Sequence, residues 1–345
     1  MAPRSRESWA RIVAFALANV LAARAAAVVL HPGDLVAMGA AGSGLFAVSP
    51  FTGSKLPITT EVFSDFGVGV GGSLYGLSGS SLRSIDPETG SSSLVSSGGL
   101  LTDPIAIEVG TDGTLYVLDV DPSGAGRVLG IDPADGSQFL VADGGLLADP
   151  LSPPFFDIAL SANGNAVLVK ADSLVILVDL ATGAQSAFAD LASGFFGNGG
   201  LGEGPDGSVY AVSFGQCECV GVRDPTTGEM MTIFGMRTPS GGSLLLPTDV
   251  AVAFNGPRLF VTGTFIVVDG LPFGGPTLLA VDLPAPINDP FSDRIHVLAT
   301  DVVGEVEVVP VPEPGSAAML PLGVALFSLH RHKLRTRRVR RLDGR

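Results

Sequence analysis

Three aspartates recur at one phase of a repeating unit, and their carboxylates are the most promising chemical groups in the chain. Counting back seven residues from Gly72, Gly113, Gly164, Gly207 and Gly256 reaches Asp65, Ala106, Asp157, Gly200 and Asp249. If the units form a ring, the aspartates fall on alternate units near one mouth of a central channel. Converging carboxylates of this kind suit a hard ion such as Ca2+. The plainer reading, preferred here, is that each aspartate bonds local backbone groups where the chain enters its strand. Glu108 and Glu203 lie on the same strands at other phases and define no geometry.

Other reactive residues are sparse. Cys217 and Cys219 are the only cysteines, one residue apart, so they form a strained local disulfide or remain two free thiols. His31 and His296 are the only histidines outside the two ends, and neither falls on an inner strand. No nucleophile elbow, zinc-protease helix or nucleotide-binding glycine loop occurs in a supporting context.

The elements that must position these residues are short strands. Residues 112–145 carry three of them, separated by Asp112-Gly113 and by Asp132-Pro133-Ala134-Asp135-Gly136. The first pair predicts a type I′ hairpin with both positions at positive φ; the second predicts a type I turn closed by a left-handed glycine. The second turn recurs at 49–53, 86–90, 179–183 and 224–228. The first recurs at Gly71-Gly72, Asn163-Gly164, Asp206-Gly207 and Asn255-Gly256. Successive glycines of that set lie 41, 51, 43 and 49 residues apart, the length of a four-stranded propeller blade. With 46 glycines, 25 prolines and no long stretch of 3.6-residue periodicity, helical repeats are excluded.

Laid out in order, the units predict an all-β, six-bladed β-propeller over residues 28–309. The first blade lacks an innermost strand, and the orphan strand 302–309 supplies it, closing the ring. Residues 263–276 are irregular and read either as a long loop or as part of a strand, so five or seven blades also fit the sequence. Together with 194–200 they are the glycine-rich candidates for binding loops.

The unit P-x-D-(I/V)-A-(I/V) … G-x-(L/V)-Y-V … (I/V)-D-P-x-T-G resembles NHL-type propeller repeats, a group that includes virginiamycin B lyase-like and gluconolactonase-like proteins. The resemblance implies architecture more than activity. A gluconolactonase-like site would hold a divalent ion on inner-strand carboxylates and amides, but no matching Glu-Asn-Asp set is found here. A lyase-like site would need a channel histidine, and none is in place.

The ends differ from the body. Residues 1–27 have a basic start at Arg4, Arg6 and Arg11, an apolar stretch, and Ala25-Ala26-Ala27, the layout of a secretory signal. Residues 310–345 run from Pro312-Glu313-Pro314 through an apolar stretch to Arg331, Lys333, Arg335, Arg337, Arg338, Arg340 and Arg341. This order resembles the PEP-CTERM sorting signal. The resemblance implies export, recognition by exosortase and transient membrane contact, with the arginines held on the cytoplasmic side. The apolar run of residues 317–329 spans about 20 Å as a helix, shorter than a bilayer core of about 30 Å.

The whole chain carries −14, but residues 28–311 hold eight Lys and Arg against 31 Asp and Glu, a net of −23. That field excludes nucleic acid as a partner. Two functions follow as expectations. The leading one is a non-enzymatic surface or matrix binding module for exopolysaccharide or surface proteins, with no cofactor. Its rival is an extracellular Ca2+-dependent lactonase-like hydrolase or lyase using Asp65, Asp157 and Asp249.

Overall fold

The computed structural model of the chain describes residues 27–148, 154–172, 174–191, 199–213, 219–223, 228, 230–234, 243–253, 258–268, 271–282 and 295–310. The signal layout of 1–26, the tail from 311 onward, Cys217 and most of 194–200 lie outside them. Among the described residues no helix is long and apolar enough to cross a membrane.

Six four-stranded antiparallel sheets form the blades. Blade 1 holds β1 (Leu35–Gly39), β2 (Leu45–Val48) and β3 (Lys55–Thr59), and blade 2 holds β4 (Asp65–Val68), β5 (Leu74–Ser78), β6 (Ser81–Ile85) and β7 (Ser92–Ser97). Blade 3 runs through β8 (Pro104–Val109), β9 (Leu115–Val120), β10 (Gly126–Ile131) and β11 (Gln138–Ala142). Blade 4 follows as β12 (Phe155–Leu160), β13 (Ala166–Ala171), β14 (Leu174–Asp179) and β15 (Gln185–Asp190). Blade 5 is β16 (Leu201–Glu203), β17 (Val209–Ser213), β18 (Cys219–Arg223) and β19 (Met230–Phe234). Blade 6 is β20 (Ser243–Val252), β21 (Arg258–Val268), β22 (Leu271–Asp282) and β23 (Ile295–Thr300). The final strand, β24 (Val302–Val308), pairs with β1 through Leu35↔Val308, Val36↔Glu307 and Ala37↔Val306, and so becomes the inner strand of blade 1. The six inner strands touch their neighbours all the way round. The expected ring and its closure are both present.

Burial explains why blades stack. Each of the six hydrophobic clusters sits at a seam between adjacent blades. A single blade has two apolar faces and cannot cover either alone, so only a closed ring leaves no face wet. At the closing seam, Leu35, Ala37 and Val48 of blade 1 pack with Val302, Val306 and Val308 against Phe260, Leu278 and Ala280 of blade 6.

The turns that reveal the repeat also join the blades. In the proline-type turn the glycine is left-handed, with φ of 67° at Gly53, 71° at Gly90, 74° at Gly136 and 69° at Gly183. Each presses on an outer-strand carbonyl of the preceding blade. A Cβ there would lie 1.6, 2.3, 2.1 and 2.4 Å from the oxygens of Leu298, Ile58, Val95 and Val141 respectively. Gly136→Ala is therefore expected to cost about 2–4 kcal/mol in urea unfolding, combining left-handed strain with a backbone clash. Gly113, at φ 88°, has no atom within 4 Å of its absent Cβ. Gly113→Ala should show only the strain, about 1–2 kcal/mol.

The other hairpin differs from its sequence expectation. It is not a two-residue type I′ turn: Gly113 N–H bonds the Gly110 carbonyl at 2.9 Å and Gly110 N–H bonds the Thr114 carbonyl at 2.8 Å. Only the glycine of Asp112-Gly113 takes positive φ. The reason lies in Asp112, whose Oδ1 accepts the Thr114 N–H at 2.9 Å and holds the aspartate in the right-handed region. Asn163 and Asp206 bond Asn165 and Ser208 in the same way. The result is a three-residue turn with a glycine bulge, which preserves the strand twist equally well.

Of residues 263–276, those described, 263–268 and 271–276, are strand, the second of the two readings. β21 and β22 continue as a hairpin, with Thr264↔Pro276, Phe265↔Gly275 and Val268↔Leu271, and β20 extends beside them through Ser243↔Val267. This three-stranded extension of blade 6 stands on the face where the inner strands begin.

Candidate functional site

Because the inner strands all start from one face, the aspartates that share a sequence phase share a level in the channel. Asp65, Asp157 and Asp249 lie on β4, β12 and β20, with 4%, 5% and 2% of their surface accessible. The sequence placed them on alternate blades, and the structure does the same.

Their bonding is more specific than a local cap. Asp65 Oδ2 accepts the Ile107 N–H of blade 3 at 2.6 Å, Asp157 Oδ2 the Leu201 N–H of blade 5 at 2.6 Å, and Asp249 Oδ2 the Val306 N–H of blade 1 at 2.7 Å. Each aspartate thus ties its blade to the next. The local bond expected from the sequence is also present at Asp157, where Oδ1 accepts the Ile158 N–H at 2.7 Å. Inner-strand N–H groups on a channel wall have no ladder partner on that side, and a buried carboxylate satisfies them.

The acceptor residues identify the equivalent positions. Ile107 follows Ala106, Leu201 follows Gly200, and Val306 follows Glu305. Small residues at 106 and 200 leave room for the incoming carboxylates. A Cβ on Gly200 would lie 1.4 Å from Asp249 Oδ1, which has no hydrogen-bond partner among the described residues. Glu305 is thus the fourth acid at this level, near enough to Asp65 for the two carboxyls to interact. Two residues further along β8 and β24 stand Glu108 and Glu307. All three glutamates keep part of their surface accessible.

Among the described residues, one cation faces this ring. Lys170, on β13 and paired with Asp157 across the sheet, is fully buried, with Nζ 5.0 Å from the Phe156 ring centre. Burial pulls its pKa down to about 8, against the attraction of Asp157, Asp172 and Asp249. Burial likewise raises Asp65 and Asp249 to about 7 and Glu108 to about 8. Asp157, Glu305 and Glu307 rise well above the usual carboxylate range, burial first and mutual repulsion second.

Glu305, Glu307 and Lys170 were missed in the sequence. The first two had a signal, since β24 fits the inner-strand phase once Glu305 is aligned with Asp249. Lys170 lies six residues after Gly164, where Asp119, Ser213 and Thr262 also interrupt apolar second strands. Asp119 is a buried structural anchor: its carboxylate accepts Thr102 N–H and Asp103 N–H at 2.9 Å each and pairs with Arg127 at 2.7 Å.

Other candidates stand apart from the ring. Glu203 is half-buried on β16, where burial and Asp206 raise its pKa. His31 is exposed beside Asp34, and His296 is on β23, the outer strand of blade 6. Cys219 is disulfide-bonded at the start of β18. Among the described residues no three carboxylate, imidazole or thiolate groups are placed to share one metal ion.

No protein-family profile matches the chain, and no curated protein matches it in sequence. Solved structures match the fold. A chain of the nidogen/laminin complex is 13% identical, with 81% of this chain and 99% of that one covered at a TM-score of 0.57. TolB from Acinetobacter baumannii is 13% identical, with 90% and 74% covered at 0.57. Virginiamycin B lyase from Staphylococcus aureus is 12% identical, with 79% and 86% covered at 0.46. At such identities the likeness is one of fold alone.

Proposed function

We propose that this chain is an exported β-propeller that acts as a non-enzymatic binding module at the cell surface or in the extracellular matrix. The observation that carries this reading is the use of the channel aspartates. Each of the three accepts an N–H from the next blade, which makes it a structural tie within the ring. Support also comes from the fold, which resembles a chain from the nidogen/laminin complex, a protein–protein assembly. The extended strands of blade 6 are the surface to test first, since they stand out from the ring. Export through a secretory signal and sorting by exosortase rest on the layout of 1–27 and on Pro312-Glu313-Pro314 with its basic cluster. Exopolysaccharide and surface proteins are the partners this location makes available.

Two measurements test the reading. Cell fractionation should find the chain in the envelope or medium, and the purified protein should bind exopolysaccharide or envelope proteins from its own cells. A screen of lactones and esters with millimolar Ca2+ should give no turnover. Turnover that requires the ion and disappears in Asp249→Asn would overturn the non-enzymatic reading in favour of a channel metal site. Recovery of the chain only from the cytoplasm would remove the export claim.

A further inference from the structure

Both ends of the ring leave from one face. Val308, which ends β24, pairs with Leu35, which begins β1, and just beyond them Gly33 N–H bonds the Val309 carbonyl at 2.9 Å. This is the face at which the inner strands end, opposite the extended strands of blade 6. The turns of both hairpin types lie on it as well, since each follows the first or third strand of a blade. Most of them carry exposed acids, among them Asp112 and Asp206 in the inner hairpins and Asp86, Glu88 and Asp135 in the proline-type turns. Two turns beside the exit carry none. In blade 1 the turn is Ser49-Pro50-Phe51-Thr52-Gly53, with Phe51 where blade 2 has Glu88. In blade 2 the inner hairpin is Gly69-Val70-Gly71-Gly72, with Gly71 where blade 3 has Asp112. Phe51 is 85% accessible, Val70 45% and Val29 58%, while Val28 and Leu30 turn inward, Leu30 against Gly72. The turn itself does not call for phenylalanine, because Glu88, Ala134 and Ala181 serve at the same place. The other large apolar side chains in water lie on the outer strands, at Leu56, Leu94, Phe139 and Leu140, or on the opposite face, at Val62 and Leu100.

Where the chain goes next says what covers this sector. Ala317, the first residue of the apolar run, lies seven positions beyond Pro310, at most about 25 Å away even if the link is fully extended. A tail seated in a bilayer therefore holds the exit face close to the lipid. We propose that blade 1 and the inner hairpin of blade 2 form a membrane-contact surface, with Phe51, Val29 and Val70 seated in the headgroup region of a zwitterionic phospholipid bilayer. This rests on the sorting reading above, which brings residues 317–329 to the membrane. The apolar side chains gain by leaving water at that boundary, and an uncharged sector loses no hydration of ions in doing so. Acids on the remaining turns and the net charge of −23 over residues 28–311 oppose an anionic surface, so the contact is made through apolar area and not through charge. In this orientation the extended strands of blade 6 and the acidic channel mouth point away from the membrane, where a partner can reach them.

The full-length chain with phosphatidylcholine vesicles tests this. Trp9 is the only tryptophan, so Trp9→Phe gives a background in which one introduced tryptophan reports alone. Flotation with the vesicles reads the tail, and quenching by lipids brominated along the acyl chain reads the face. Phe51→Trp should be quenched and its emission shifted to the blue, whereas Val62→Trp, on the opposite face, should show neither. Phe51→Glu should fold, because blade 2 carries glutamate at this place, and should bind the vesicles about 10-fold more weakly or worse, the worth of one buried phenylalanine. A chain that floats without quenching in Phe51→Trp, or with equal quenching in Val62→Trp, overturns the contact surface and leaves the tail reading standing. A full-length chain that does not float removes the tail as an anchor and the proposal with it. Binding that appears only when anionic lipid is added assigns the contact to the arginine cluster and overturns the proposal. So does a dimer in lipid-free solution that Phe51→Glu abolishes, since a second copy would then be what covers this sector.

Discussion

A variant that ends at Asp301 should fail to fold cooperatively, whereas one that ends at Pro310 should melt like the full-length chain. The first lacks β24 and with it the buried side chains of Val302, Val306, Val308 and Val309. At about 1.5–3 kcal/mol for each fully buried valine, the loss is roughly 6–12 kcal/mol. That is comparable to the whole stability of an ordinary domain, about 5–15 kcal/mol. It also strips Leu35, Val36 and Ala37, which are fully buried, of their inner neighbour and leaves β1 as an open edge. The connection into β24 is tight: Asp301 is the one non-glycine among the described residues with left-handed φ, at 59°. Circular dichroism and urea unfolding of the two variants give the answer. A cooperative transition in the shorter variant would mean that five blades and an incomplete sixth suffice.

Gly200→Ala should be among the most damaging single methyl additions, by about 3–5 kcal/mol, because it acts through a buried carboxylate. The added carbon would sit 1.4 Å from Asp249 Oδ1 and 2.9 Å from Asp249 Cα. Gly200 is outside the left-handed region, so backbone strain plays no part and the cost is steric. Asp249 must turn away, which breaks its 2.7 Å bond from Val306 N–H and strands a buried acid. Asp249→Ala removes both the tie and the obstacle. The double variant should therefore lie close to Asp249→Ala alone, with a coupling of about 2 kcal/mol or more. Additive effects in urea unfolding would show that Gly200 is kept for some reason other than this carboxylate.

Much of the architecture was already legible in the residues. The glycines of the two hairpins set the period, because left-handed positions favour glycine whatever surrounds them. Alternating apolar residues set the strands, and an orphan strand at one end with a missing strand at the other implied closure. The level shared by Asp65, Asp157 and Asp249 also followed from spacing, since strands of one period and one direction repeat their phase. Less legible was the segment 263–276, which reads as irregular and contains Pro272 and Pro276. Among the described residues β22 pairs there with β21, and β23 joins from Thr277 onward, so the prolines lie where β22 has a strand on one side, the kind of edge that tolerates them.

The sequence by itself determined which residues turn, which extend, the length of the repeating unit and where the channel acids repeat; six blades was its count with five or seven also open, and the structure settles six. Those features depend on local φ preferences and on a period of two, both written in neighbouring residues. Only the tertiary structure decided what the acids do. Asp249 meets Val306 across 57 positions of sequence, and Glu305 reaches Asp65 only because the last strand lies beside the second blade. Lys170 becomes their counter-charge only when β13 is packed behind β12. Long-range partnership, and the burial that raises the acids together, is created by closing the ring and has no local signature in the chain.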